Sequence, residues 1–240
     1  MTDDLRGQAA LVTGASSGIG RATAAALAEN GATLAVTARS EDRIAALVER
    51  LDTEAVAIPA DIRDGDAVDS LVEETVDRLG GIDVLVNNAG VGRGSSVEDL
   101  STAEYRQMME TNVDGMFFTT RAALPHLRES AGTAVFIGSF AGKFPRSFNP
   151  VYAATKWWTR GFAQSLSAQV GDDVGVTVIN PSEVRTEFGS EDGESFEERF
   201  EAGEVSEPEE IADAVVFAAG QSPSMVSELD LYRRDKLTDF

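Results

Sequence analysis

Tyr152 and Lys156 stand four residues apart in Y-A-A-T-K, a spacing that on a helix puts both side chains on one face with Cβ atoms roughly 5 to 6 Å apart. A free phenol, with a pKa of about 10, does little acid-base work at neutral pH. A lysine ammonium at about 4 Å contributes on the order of 4 kcal/mol at an effective dielectric near 20, roughly three pK units before desolvation is subtracted. The pair is therefore a candidate proton donor and acceptor. The spacing arises by chance in many helices, so its weight comes from its company. Ser139, upstream in the chain, offers a hydroxyl that can hold a substrate oxygen against the phenol. Residues 13–20, T-G-A-S-S-G-I-G, suit a different task, the binding of a phosphate group. Gly14 permits a backbone angle that other residues avoid, Gly18 lets the main chain approach a pyrophosphate, and Gly20 allows close packing of helix on strand. The helix that follows would offer free N–H groups and a positive dipole end.

These groups are far apart in sequence, and the hydrophobic pattern indicates the scaffold that gathers them. Apolar runs at 8–12, 33–37, 55–59, 83–86, 133–138, 174–179 and 228–232 read as strands. Helices are predicted over 21–30, 41–51, 64–79, 102–129 (bent or broken near Pro125), 152–170 and 208–220, the last starting with proline. Strict alternation of strand and helix calls for a doubly wound parallel sheet of about seven strands covered on both faces. No repeat, low-complexity linker or charge tract divides the chain, so residues 1–240 are expected to form one α/β domain. The turn at Asn87-Asn88-Ala89-Gly90, Ser139, and the acidic stretch 183–207 all follow strands, at the sheet edge where ligands bind in such folds. The stretch 183–207 shows no clear element and is a candidate substrate lid, with a solvated acidic loop as the alternative.

Composition narrows the function classes. The chain has no cysteine and a single histidine, His126, which excludes thiol nucleophiles, disulfides and multi-histidine metal sites. His126, in A-L-P-H-L-R, reads as an ordinary helix-end residue, and no metal site is expected. Acidic residues number 41 against 20 basic ones, a formal charge of −21, so neither nucleic acid nor an anionic membrane is an expected partner. Lysine occurs only at Lys143, Lys156 and Lys236. Acids spread along a chain nearly free of lysine suggest adaptation to molar salt, where the Debye length is about 3 Å. With no long apolar run and no basic start followed by an apolar stretch, the expected location is cytoplasmic.

Taken jointly, T-G-A-S-S-G-I-G, N-N-A-G at 87–90, Asn112 in T-N-V-D-G, Ser139, Y-A-A-T-K and N-P-S-E-V-R-T at 180–186 closely resemble the motifs of the single-domain short-chain dehydrogenase/reductase family, in its order and spacing. The resemblance implies a Rossmann-type sheet and reversible hydride transfer between a nicotinamide and a small alcohol or carbonyl. It implies Tyr152 as general acid and base, Ser139 on the substrate oxygen, and Lys156 on the phenol and the nicotinamide ribose. Asn112 is expected to carry a water that links the lysine to solvent. The implied cofactor contacts are Gly14, Ser16, Ser17, Gly18, Ile19, Gly20, Arg39, Ser40, Asp61, Ile62, Asn88, Ala89, Gly90, Tyr152, Lys156, Pro181, Val184 and Thr186. One departure is Pro181-Ser182 where many members have Pro-Gly. The C-terminal stretch lacks the glycine-rich ending of many 3-oxoacyl-carrier-protein reductases and looks more like the 3-hydroxy acid and broad carbonyl reductase branch.

The second strand bears on which nicotinamide. It ends V-T-A-R-S with no acid until Glu41, so the carboxylate that would grip a ribose 2′-hydroxyl is missing. Arg39 and Ser40 could instead hold a 2′-phosphate, and NADP(H) is expected. The usual second basic residue in the glycine loop is absent, since positions 16 and 17 are serine. Phe140, Lys143, Phe144, Phe148 and Phe188 suggest an apolar substrate site with one cation for a carboxylate, or mere packing. A homodimer or homotetramer is expected, with one of Trp157 and Trp158 facing a partner. The competing reading is a nucleotide-sensing protein that lost its chemistry, which would have lost Tyr152, Lys156 or Ser139; a purely structural subunit would need none of them.

Overall fold

Seven parallel strands in the order β3-β2-β1-β4-β5-β6-β7 form the centre of the computed structural model, which describes residues 5–189 and 193–238. The strands are β1 (Ala9–Thr13), β2 (Thr33–Thr37), β3 (Ala55–Ala57), β4 (Val84–Asn87), β5 (Thr133–Ile137), β6 (Gly175–Pro181) and β7 (Glu228–Leu231). The helices are α1 (Gly18–Glu29), α2 (Glu41–Val48), α3 (Gly65–Leu79), α4 (Thr102–Met109), α5 (Met116–Ser130), α6 (Pro150–Val170), α7 (Phe196–Arg199) and α8 (Pro208–Ala219). No helix among the described residues is long and apolar enough to cross a membrane.

The central strands are apolar at successive positions because each face is buried. Ala10, Val12, Val36, Val86 and Ile137 point to the side covered by α1, α2 and α8, where Leu27, Ile44, Ile211 and Val215 close the core. Leu11, Leu85, Phe136 and Val178 point to the other side, against Leu71, Leu127, Ala163 and Leu166 of α3, α5 and α6. Local signals set the helix ends. Asp64 caps α3 by accepting from the N–H groups of Asp66 and Ala67, and Gly80 ends that helix at φ +84°. Ser101 and Glu104 form a capping box on α4.

The helix predicted over 102–129 is interrupted, although not at proline. Pro125 sits inside α5, which continues to Ser130; the break is a six-residue π-helical turn, Glu110–Gly115, between α4 and α5. Asn112 lies in that turn and is buried. Its amide is fixed to the neighbouring segments (Val91 and Thr155), so tertiary bonds decide where the ladder widens. The stretch 183–207 is also not the elementless segment expected. It contains α7, a bridge between Val184 and Ser206, and an ion pair from Arg185 to Glu207 at 2.9 Å; its residues 190–192 lie outside the described residues.

Sheet order reverses between β1 and β4, since the chain runs outward to β3 and then returns to the far side of β1. The turns after β1 and β4 diverge there and leave a crevice at the carboxyl edge.

Candidate active site

A cleft of about 590 Å³ opens at that edge and receives every strand-end segment singled out from the sequence. Its phosphate end is built by the turn after β1. Gly14 and Gly18 hold φ values of +67° and +50°, accessible to glycine at little cost. A Cβ on Gly14 would lie 2.8 Å from the Ala89 Cα, and one on Gly20 would lie 2.3 Å from the carbonyl oxygen of Gly14. The loop after β4 locks this turn: the Asn88 amide donates to the carbonyls of Thr13 (2.9 Å) and Gly14 (3.2 Å), and the Asn88 and Ala89 N–H groups both donate to the Thr13 hydroxyl at 3.1 Å. Unlike α3 and α4, α1 starts without a side-chain cap and without an acid in its first turn. Its N–H groups are left for an anion. The turn thus fits the pyrophosphate of a dinucleotide.

Ser16, Ser17 and Ile19 line the cleft beside Gly14 and Gly18, while Gly20 lies behind its wall. Arg39 and Ser40 reach it after β2, Asp61 and Ile62 after β3, Asn88, Ala89 and Gly90 after β4, and Pro181, Val184 and Thr186 after β6. Arg39 is exposed and makes no hydrogen bond or ion pair among the described residues. Asp61 is gripped by Arg63 (Nε to Oδ1, 2.9 Å), whose hydrogen bonds hold the carboxyl below its ordinary value against the opposing effect of burial. The serine at position 182 has its own use: its hydroxyl accepts from the N–H of Arg233 at 3.0 Å and ties down the C-terminal segment.

At the other end stand Ser139, Tyr152 and Lys156. Lys156 is buried, 5% exposed, and its Nζ donates to the carbonyl of Ile137 at 2.9 Å, 5.9 Å from the centre of the Tyr152 ring. Burial lowers its pKa to about 8. Burial also raises the Tyr152 phenol above its ordinary value, outweighing the hydrogen bond to Ser139 and the charge of Arg146, which both pull it down. This corrects the expectation that a neighbouring lysine draws the phenol toward neutrality: the ammonium bonds a carbonyl, and desolvation dominates. Asn112 lies behind the cleft. Its side chain accepts from the N–H of Val91 and donates to the Val91 carbonyl, both at 2.8 Å, and donates to the Thr155 hydroxyl at 3.0 Å. Both amide hydrogens are thereby used, and Oδ1 keeps one acceptor site for the expected water. A Cβ on Gly90 would lie 3.5 Å from the Asn112 Oδ1 and 3.6 Å from the Lys156 Nζ, so both side chains lie close to this glycine.

The substrate end differs from the expected one. Phe140, Phe148 and Phe188 line it, but Phe144 stacks behind Phe140 at 4.4 Å. Lys143 turns away to Asp230 (2.7 Å) and Glu228 (3.4 Å). The cations that do face the cleft here are Arg146, Arg199 and Lys236, together with Glu183. Phe196 and Phe200 complete an aromatic wall that begins with Phe188, 5.8 Å from the Tyr152 ring. Phe196, Arg199 and Phe200 belong to the stretch 183–207 singled out as a candidate lid, but nothing in the sequence named them individually, and Arg146 and Lys236 carried no signal. They sit on irregular segments or on the single-turn α7, too short for periodicity to encode side-chain direction. Arg43, on the first turn of α2, also lines the cleft and was not singled out from the sequence.

The family model for short chain dehydrogenases matches residues 8–196. An uncharacterised oxidoreductase of Staphylococcus epidermidis is 36% identical over 220 residues, covering 91% of this chain and 93% of the relative. An alcohol dehydrogenase from the archaeon Thermococcus sibiricus, solved with 5-hydroxy-NADP, superposes with a TM-score of 0.86 at 31% identity, over 94% of this chain and 96% of the other. A 3-ketoacyl-(acyl-carrier-protein) reductase from Brucella melitensis, solved with NADH, gives 0.85 at 28% identity, over 94% and 97%. With its sheet order, its glycine turn and these relatives, the chain belongs to the short-chain dehydrogenase family of oxidoreductases.

Proposed function

We propose that the protein is an NADP(H)-dependent carbonyl reductase and alcohol dehydrogenase in which Tyr152 transfers the proton. The observation that carries this reading is the convergence of Ser139, Tyr152 and Lys156 on one end of a cleft whose other end is an uncapped helix behind a glycine turn. When bound, the nicotinamide supplies or accepts the hydride. Ser139 and Tyr152 hold the substrate oxygen between two hydroxyls. A phenol kept protonated by its surroundings suits the donor role, so the resting protein is prepared for carbonyl reduction. Lys156 supports the phenolate that donation leaves behind, and Asn112 holds the water that returns the proton. NADP(H) is favoured because Arg39, which makes no hydrogen bond or ion pair among the described residues, lines the adenosine end with Arg43 and Arg63. The segment 183–207 serves as the lid, its phenylalanines closing over the substrate.

Tyr152→Phe tests the assignment. The ring would still pack, so NADPH affinity should stay near wild type while turnover of a carbonyl panel falls by orders of magnitude. Retention of more than a tenth of wild-type turnover would remove Tyr152 from the chemistry. A wild type that binds NADPH and turns over no carbonyl would favour the nucleotide-sensing reading.

A further inference from the structure

The cleft is electropositive in a strongly acidic protein. Among the described residues its lining includes eight of the chain's 20 arginines and lysines but only three of its 41 acids. Part of that charge lies at the adenosine end and suits phosphate. Some of it does not: Arg146 and Lys236 stand at the substrate end, with Arg146 Cζ 5.3 Å and Lys236 Nζ 4.8 Å from the Phe140 ring centre. Phe140 directly follows Ser139, so both cations neighbour the reacting groups, and the charge of Arg146 is felt at the Tyr152 phenol.

Their counterions are too few. Lys236 is bonded to Glu183, whereas Arg233, close to the same carboxylate at 4.0 Å, has its own partner in Asp235 at 3.1 Å. The Arg146 guanidinium is left with a long approach to Glu183, 3.9 Å, and donates no hydrogen bond among the described residues. Its side chain is only 19% exposed. A guanidinium has five donors in a planar fork, and here they are held by two aromatic faces, Phe140 and Phe148 at 5.3 and 4.7 Å, with the cleft in front. None of its nitrogens is both buried and without a partner, so the fork is open to the cleft and its donors are free to meet a ligand's oxygens.

We propose that the substrate is an oxo acid whose carboxylate is bound by the Arg146 fork, with Lys236 adding a second positive charge. The inference rests on the carbonyl-reductase reading above. In the forward direction the ketone carbon takes a hydride from the reduced nicotinamide and its oxygen takes the Tyr152 proton, giving the hydroxy acid. Arg146 touches the carboxylate, not the reacting atoms, and so sets specificity.

The test uses matched pairs: pyruvate, acetoacetate and levulinate against their methyl esters, with NADPH at one fixed ionic strength. In at least one pair the wild type should prefer the acid, and Arg146→Gln should lower the ratio of acid to ester kcat/KM roughly ten- to a hundredfold, the range expected for a charged hydrogen bond. Arg146→Lys, which keeps the charge but loses the fork, should fall between. Esters used as well as acids in all three pairs, or a ratio untouched by Arg146→Gln, would overturn the inference while leaving the reductase reading in place. Should no carbonyl turn over, the reductase reading fails, and titration calorimetry of the three acids decides this one. Acid binding that weakens at least tenfold in Arg146→Gln supports the carboxylate site, and binding that is absent or unchanged refutes it.

Discussion

Lys156 illustrates how burial and function oppose each other at one residue. Its ordinary value of 10.5 falls to about 8 because the charged form is desolvated, so below about 8 it is a cation and above it a neutral amine that cannot support a phenolate. The phenol, raised rather than lowered, keeps its proton through the same range. Carbonyl reduction should therefore decline as pH rises through about 8, and the limb should move to higher pH in Lys156→Arg; a wild-type profile flat from 7 to 9.5 would refute the dependence. The adenosine end carries a second residue-scale prediction. Arg39→Ala should cut the NADPH over NADH ratio of kcat/KM roughly ten- to a hundredfold, and a wild-type preference for NADH, or a ratio that does not move, would show that Arg39 does not read the phosphate. The chain's three lysines are all engaged, Lys143 with Asp230, Lys156 with the Ile137 carbonyl and Lys236 with Glu183.

Between elements, the packing of α1 on the turn before it governs the site. Gly20 is buried, and a Cβ there would meet the Gly14 carbonyl oxygen at 2.3 Å and the Asn88 amide at 2.4 Å. Both are fixed, one by the backbone and the other by its bonds to Thr13 and Gly14. Gly20→Ala should cost about 1 to 3 kcal/mol as overpacking and weaken NADPH binding with it. A melting temperature and an affinity both equal to wild type would mean that the helix is free to move. The π-turn at Glu110–Gly115 acts similarly between α4 and α5, because Asn112 spends its side chain joining the loop after β4 to α6.

The whole molecule combines a charge of −21 with a positive cleft. At molar salt a Debye length of about 3 Å screens the acids from one another, whereas at about 0.1 M it grows to about 10 Å and repulsion returns. If the chain is adapted to salt, its melting temperature and activity should fall on dilution, and a melting temperature constant over that range would count against the adaptation. Exposed apolar side chains point to self-association. Trp157 is 48% exposed on α6 and Phe117 41% on α5, whereas Trp158 stacks inward on Phe162 at 4.7 Å. Covering the first two would remove apolar surface from water, so light scattering in molar salt should give a dimer or tetramer; a monomeric mass would refute the assembly.

Much of this was legible in the chain itself, because it depends on contacts between neighbours in sequence. The alternation of apolar strands with helices set the parallel sheet, the glycines of residues 13–20 marked the phosphate turn, and the four-residue spacing placed Tyr152 and Lys156 on one helical face. Tertiary structure decided what depends on groups distant in sequence. It moved the helix break from Pro125 to Asn112, since the Val91 and Thr155 partners that hold the turn come from other segments. It turned Lys143 away toward β7 and brought Arg146 and Lys236 to the substrate end. It also reversed the direction in which Tyr152 shifts, because sequence spacing conveys the nearness of a charge but not the loss of water around it.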